Sequence, residues 1–124
     1  MIKMSEETRL EPSEGLAYWI GVVQSDGHFK KSGRSHYAVQ LEVSPKSLLM
    51  LQRFEEISRH VLGKIIAIRQ TQRGSWRYQV TISKFIDSFL DLDIKLTGLF
   101  LPPKWCIDDP VFFGAYLAGL IDGD

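Results

Sequence analysis

The sequence predicts an α+β fold, and three observations carry that prediction. A stretch of apolar and small residues ending in an acid occurs twice, at Tyr18–Asp26 and at Tyr116–Asp124, with small residues at every fourth position as one helix face requires. Between the copies, the apolar residues switch to a period of two in the stretches 28–44 and 64–83, each broken by a glycine-containing turn, which reads as two β-hairpins. Helix caps separate these parts, giving the order αββαββα with the repeated segment on the first and last helices.

Taken in order, residues 1–11 are expected to form a flexible arm, and Pro12 to sit in the first turn of a helix capped by Ser13 or by the residue before Pro12. That helix runs to Asp26, with Gly27 expected as its left-handed stop. Tyr37, Val39, Leu41 and Val43 then alternate with polar or small residues, a strand with one buried face, joined across Lys30–Ser35 to a shorter strand starting near His28. Ser44-Pro45 opens a second helix in which Leu48, Leu51, Ile57, Val61 and Leu62 recur before Gly63, and its charges Arg53, Glu55, Glu56 and Arg59 read as a solvated outer face. In the second hairpin, Trp76, Tyr78, Val80 and Ile82 face inward, and burying Ile66 and Ile68 turns Ala67, Arg69 and Thr71 outward. Ser83 is a cap for a third helix, Lys84 to about Asp93, with Phe85, Ile86, Phe89 and Leu90 inward. Thr97-Gly98 and Pro102-Pro103 punctuate a crossing segment, and Asp109-Pro110 starts the last helix.

Composition bounds the setting. One globular domain is expected from 124 residues that are 44% hydrophobic and 24% charged. A single cysteine, Cys106, excludes an internal disulfide and reads as a structural thiol in a reducing compartment. With no signal peptide or membrane span, the expected location is the cytoplasm. The formal net charge of zero runs against nucleic-acid binding, but its distribution does not: Met1–Glu14 carries four glutamates, whereas Lys64–Arg77 carries four cations and no acid.

The repeat carries the chemistry. Tyr18/Tyr116, Gly21/Gly119 and Asp26/Asp124 are identities at one constant offset, and Ala17, Gly21 and Ser25 form a smooth helix stripe matched by Ala115, Gly119 and Gly123. Such stripes let two backbones approach closely; if the helices pack stripe to stripe, Asp26 and Asp124 meet at their C-terminal ends. Carboxylates are poorly placed against the negative end of a helix dipole, and a bound divalent cation reverses that argument by turning them into hard oxygen ligands.

The segment Leu117-Ala118-Gly119-Leu120-Ile121-Asp122-Gly123-Asp124 resembles the signature of the LAGLIDADG homing endonucleases, and Trp19–Gly27 resembles a degenerate first copy with Gln24 in place of the first signature Asp. The resemblance implies a four-stranded antiparallel sheet backed by helices and curved into a saddle over duplex DNA, with the signature helices as its central pair. It implies that Asp26 and Asp124 bind metal, Mg²⁺ being expected, with terminal carbonyls at Ser25 and Gly123 assisting, and that both DNA strands are cut across the minor groove to leave short 3′ overhangs. Lys95 and Lys104, placed after the third helix, are the candidates for a basic residue that polarises water or phosphate. Outward strand positions Gln40, Arg69, Arg77 and Gln79 are of the types that read adenine or guanine edges, and Lys30, Arg34 and Arg73 at hairpin ends suit phosphates.

The domain layout expected is a first half at 12–107 and a second signature helix at 108–124, as in single-chain or intein-type members, with the following half absent. Such a truncated chain would be inactive alone and would bury its stripes in a homodimer or helix-swapped oligomer. A different class of function with the same fold is a non-cleaving DNA-binding regulator or intron-splicing, maturase-like protein. A third reading treats both stripes as packing motifs of an interaction module.

Overall fold

Helix α1 (Glu14–Asp26) is the hub of the computed structural model, which describes residues 9–98 and 100–124. The Ser13 hydroxyl accepts from the Leu16 amide at 3.0 Å, so Ser13 is the cap, and Pro12 lies before the helix rather than in its first turn. Every residue from Leu16 to Gln24 is buried. Trp19 sits at the centre, stacked between Phe54 and Phe89 at ring separations of 5.9 and 5.7 Å, with its indole N–H donated to Ser58 at 2.8 Å.

The chain continues through β1 (His28–Ser32), β2 (His36–Val43), α2 (Leu48–Leu62), β3 (Arg69–Gln70) and β4 (Trp76–Thr81) to α3 (Ile86–Asp91), α4 (Lys104–Ile107) and α5 (Pro110–Gly123). Single 3₁₀ turns at Pro45–Ser47 and Ser83–Phe85 lead into α2 and α3. The four strands form one antiparallel sheet in the order β1-β2-β4-β3. Val39, Leu41, Tyr78 and Val80 project from one face into the core under α1 and α2, as the period of two predicts. The described residues thus form an α+β domain with a four-stranded antiparallel sheet and five helices. Among the described residues, no helix is long and apolar enough to cross a membrane.

Several local expectations are corrected. Of the arm predicted at 1–11, residues 1–8 lie outside the described residues, and its end is tied down: Leu10 is buried and its amide donates to the Ser88 hydroxyl at 2.8 Å. Gly27 is extended, not left-handed (φ −80°, ψ 154°); glycine is needed because a Cβ there would lie 2.8 Å from the Val23 carbonyl oxygen. Gly63 does take the left-handed conformation, at φ 68°, and closes α2. Ser83 caps nothing; its hydroxyl accepts from the Tyr37 amide at 2.8 Å and fastens the start of β2 to the entry of α3.

Leu90, expected inward, is 73% exposed, because the 3₁₀ turn resets the helical phase so that Phe85, Ser88 and Phe89 take the inner positions. β3 is only two residues long, although Ile66 and Ile68 pack on the core as predicted. The Lys64 ammonium donates to the Thr81 carbonyl at 2.7 Å, occupying an acceptor that a longer ladder would use. The crossing segment carries the short helix α4, which the sequence did not announce, and its Cys106 is buried, which pushes the thiol up to about 11.

Candidate functional site

Helices α1 and α5 pack through their small-residue stripes with two-fold symmetry. A Cβ on Gly21 would clash with the Tyr116 carbonyl oxygen and lie 2.9 Å from the Leu120 nitrogen; a Cβ on Gly119 would clash with the Tyr18 carbonyl oxygen and lie 2.9 Å from the Val22 nitrogen. Further along, Gly123 leaves room for the Ser25 side chain, since a Cβ there would overlap the Ser25 hydroxyl. Backbones this close are possible only where both helices lack side chains at the contact.

The same symmetry governs the polar groups. Tyr18 donates its hydroxyl to Asp122 at 2.7 Å, and the equivalent Tyr116 donates to Gln24, the counterpart of Asp122, at 2.5 Å. Gln24 also donates its amide to the carbonyls of Lys95 and Leu101 at 3.0 and 3.1 Å, so the buried side chain pins the crossing segment onto the helix pair. Its place in the repeated segment is therefore structural. On the other side, Arg53 reaches Asp122 at 3.1 Å, so this residue of the presumed outer face of α2 braces the end of α5. Tyr18, Tyr116 and Arg53 were not singled out as functional from the sequence; the repeated tyrosines were visible, but their crossing over was not.

The packing brings the two helix ends, and with them Asp26 and Asp124, together. The Asp26 carboxyl is held above its ordinary range, mainly by burial; His28 opposes the shift and the Asp124 carboxylate adds to it. Two acids close enough to repel, at helix ends with unpaired carbonyls, are a donor set that suits a hard divalent cation. Among the described residues there is no group of three or more His, Cys, Asp or Glu side chains suited to a metal, so the protein offers two carboxylates plus backbone oxygens. Of the assisting positions, Ser25 turns its hydroxyl back to the Gly21 and Val22 carbonyls, at 3.0 and 3.1 Å, and Gly123 has no side chain; either can offer only its own carbonyl.

The two candidate lysines separate. Lys95 has its carbonyl anchored by Gln24 and its ammonium paired with Asp93 at 2.9 Å, which places it beside the last turns of α1. Lys104 opens α4, which docks at the N-terminal end of α5 through Trp105 against Phe112, and pairs with Asp108. Fourteen helical residues, roughly 20 Å at 1.5 Å each, lie between that end and Asp124, so Lys104 is not part of the paired acids' surroundings.

On the sheet, the register collects the predicted base-reading residues on the face away from the core. Arg69 pairs with Arg77, Gln40 with Gln79 and Lys30 with Ala38 across neighbouring strands. Arg69, Arg77, Gln79 and Lys30 are exposed, as are Arg34 and Arg73 at the hairpin turns. Gln40 is a correction: flanked by His28 and Gln79 on the central strand, it is 7% exposed and its side-chain oxygen has no partner. At the β3–β4 hairpin, an open groove of about 530 Å³ is lined by Arg69, Gln70, Thr71, Gln72, Arg73 and Arg77. Glu42 lies within this basic face and bonds both Arg73 and Arg77.

The stripes expected to pair between copies are filled within one chain by each other, so a dimer using them has to exchange this contact instead of adding one.

No family model matches the chain. An uncharacterized protein of Methanocaldococcus jannaschii is 36% identical over 61 residues, which are 49% of this chain and 21% of that protein. The chain thus spans about a fifth of the length of a relative whose own role is undescribed.

Proposed function

We propose that this chain is a LAGLIDADG-type domain of a homing endonuclease, which grips duplex DNA on its sheet and hydrolyses phosphodiesters at the paired helix ends. The observation that carries the reading is the two-fold contact of α1 and α5, which sets Asp26 beside Asp124. Two acids related by a two-fold suit a duplex, whose two backbones are themselves related by a two-fold. The basic outward face, with Arg69, Arg77 and Gln79 on neighbouring strands, supplies the DNA-reading surface, while Lys30 and Arg34 reach phosphates.

Asp26 and Asp124, with backbone carbonyls of the last helical turns, are the residues that would hold a divalent cation, Mg²⁺ in this reading. Such an ion supplies Lewis-acid charge to the phosphoryl and leaving oxygens. The residues themselves fix the geometry: Gly21 and Gly119 set the separation, Tyr18 and Tyr116 lock the rotation of one helix on the other, and Lys95, whose backbone Gln24 anchors to α1, is the lysine assigned to meet a phosphate.

The test is incubation of the chain with DNA spanning its insertion site, with and without Mg²⁺. Metal-dependent nicking or cleavage that Asp26→Asn abolishes is expected; cleavage by Asp26→Asn at the wild-type rate overturns the assignment. Sequence-selective binding with no cleavage at any metal concentration would instead favour the non-cleaving regulator or splicing protein.

A further inference from the structure

Glu42 holds three partners at once on the sheet face. Its Oε1 accepts from Nε and Nη2 of Arg77 at 3.0 and 2.7 Å, and its Oε2 accepts from Nη2 of Arg73 at 3.1 Å and from the Ser75 hydroxyl at 3.0 Å. Having given its proton to Glu42, Ser75 accepts from the Thr71 hydroxyl at 2.6 Å, so the carboxylate orders the whole tip of the β3–β4 hairpin. The bonds from Arg77 and Ser75 keep the Glu42 carboxyl below its ordinary range, and it stays ionised at neutral pH.

The donor inventory of Arg77 gives this arrangement a consequence. A guanidinium has five N–H groups; Glu42 takes Nε–H and one hydrogen of Nη2, which leaves the end-on fork formed by Nη1 and Nη2. That fork matches the O6 and N7 acceptors of guanine in the major groove. Arg73 is held by the same carboxylate, whereas Arg69 pairs with Arg77 across the neighbouring strand and is not among the partners of Glu42.

We propose that Glu42 is the positioning residue that sets base specificity on this face: it presents Arg77 end-on to a guanine edge of duplex DNA and withholds Arg73 from indiscriminate phosphate contact. The inference rests on the DNA-binding reading above and deepens it. A carboxylate amid a nucleic-acid-binding surface weakens overall affinity, so its presence is explained by selectivity.

The test is selection of bound duplexes from a pool with a randomised central stretch, using wild type, Arg77→Ala, Glu42→Ala and Glu42→Gln. Wild type should show a guanine preference at one position that Arg77→Ala and Glu42→Ala both flatten by roughly ten-fold, the discrimination one bidentate contact gives. Glu42→Ala should at the same time bind random duplex more tightly at low salt, with a salt slope steeper by about one as a cation is freed for phosphate. Glu42→Gln, which keeps an acceptor for Arg77, should retain part of the preference. Unchanged selection in Glu42→Ala, alongside a loss in Arg77→Ala, overturns the inference while leaving DNA binding intact. No selective duplex binding by wild type overturns both. Because these ion pairs are exposed, their loss leaves the fold standing, which a thermal melt of each variant verifies.

Discussion

The hydroxyl of Tyr18 donates to the Asp122 carboxylate at 2.7 Å, across the joint between the first and last helices. Together with burial, which is the larger cause, this bond pushes the tyrosine's pKa up to about 12. A folded-state pKa above the unfolded one means that the contribution is complete below the unfolded range, near 10, and is lost as pH rises towards about 12. Tyr18→Phe should therefore lower stability at neutral pH by about 1.5–3 kcal/mol, as for a hydrogen bond to a charged group, and should make the remaining stability less sensitive to alkali. Urea titrations at neutral and alkaline pH check both parts; equal alkaline losses in the two proteins would refute the second.

The glycines of α5 should separate sharply. Gly119→Ala forces a methyl into the Tyr18 carbonyl and should destabilise by at least ~3 kcal/mol, at or beyond the upper end of ordinary overpacking. Gly114 is exposed with open space around its Cβ position, so Gly114→Ala should be stabilising by about 0.5–1 kcal/mol through helix propensity. Thermal unfolding of the two variants side by side decides this.

Much of this architecture was legible because periodicity reports it: the alternation at Tyr37–Val43 and Trp76–Ile82, the cap at Asp109 and the stop at Gly63 all read correctly. Several of the failures share a cause, which is that contacts distant in sequence override the local pattern. Ser83 looked like a cap but bonds Tyr37, Arg53 looked solvated but bonds Asp122, and Gln40 had the outward phase but is covered by its strand neighbours. Phe54, central to the core, lies on the buried face of α2 with Leu51 and Ser58, a spacing that the run of leucines and isoleucines in the sequence masks. Within the candidate site, the repeat pointed to Asp26 and Asp124, whereas the crossed tyrosine bonds depend on how the helices are rotated, which no one-dimensional pattern fixes.

Gln24 and Asp122 occupy equivalent places, yet a change of charge should cost far more at Gln24 than at Asp122. Gln24→Glu removes two donors and sets a carboxylate about 3 Å from the Lys95 and Leu101 carbonyls. A loss of about 3 kcal/mol or more is expected, as for unsatisfied buried charged groups. Asp122→Asn keeps an acceptor for Tyr18 and gives up only a partly exposed ion pair with Arg53, so about 1 kcal/mol or less should be lost. Denaturant midpoints for the pair would contradict this account if their order were reversed.

Asp26→Asn should be more stable than wild type in metal-free buffer at neutral pH. Burial raises the Asp26 carboxyl pKa, so the folded state is favoured while this group is protonated and loses that advantage as pH climbs through the raised value. The gain should vanish in acid, below the unfolded carboxylate range. The same variant should lose metal-dependent cleavage, the combination expected of a residue kept for function at the expense of stability. Melting curves across pH, with a nicking assay in parallel, test the two halves separately.

Each of Gly21 and Gly119 is the wall that the other faces. Neither position can acquire a side chain by a single codon change without colliding with the backbone opposite, and filling both at once makes the collision worse. A side chain at either place is therefore costly, while the polar partners around them need not match: a carboxamide on one helix answers a carboxylate on the other. The joint thus keeps a two-fold match in its backbone while the polar side chains on its two halves differ.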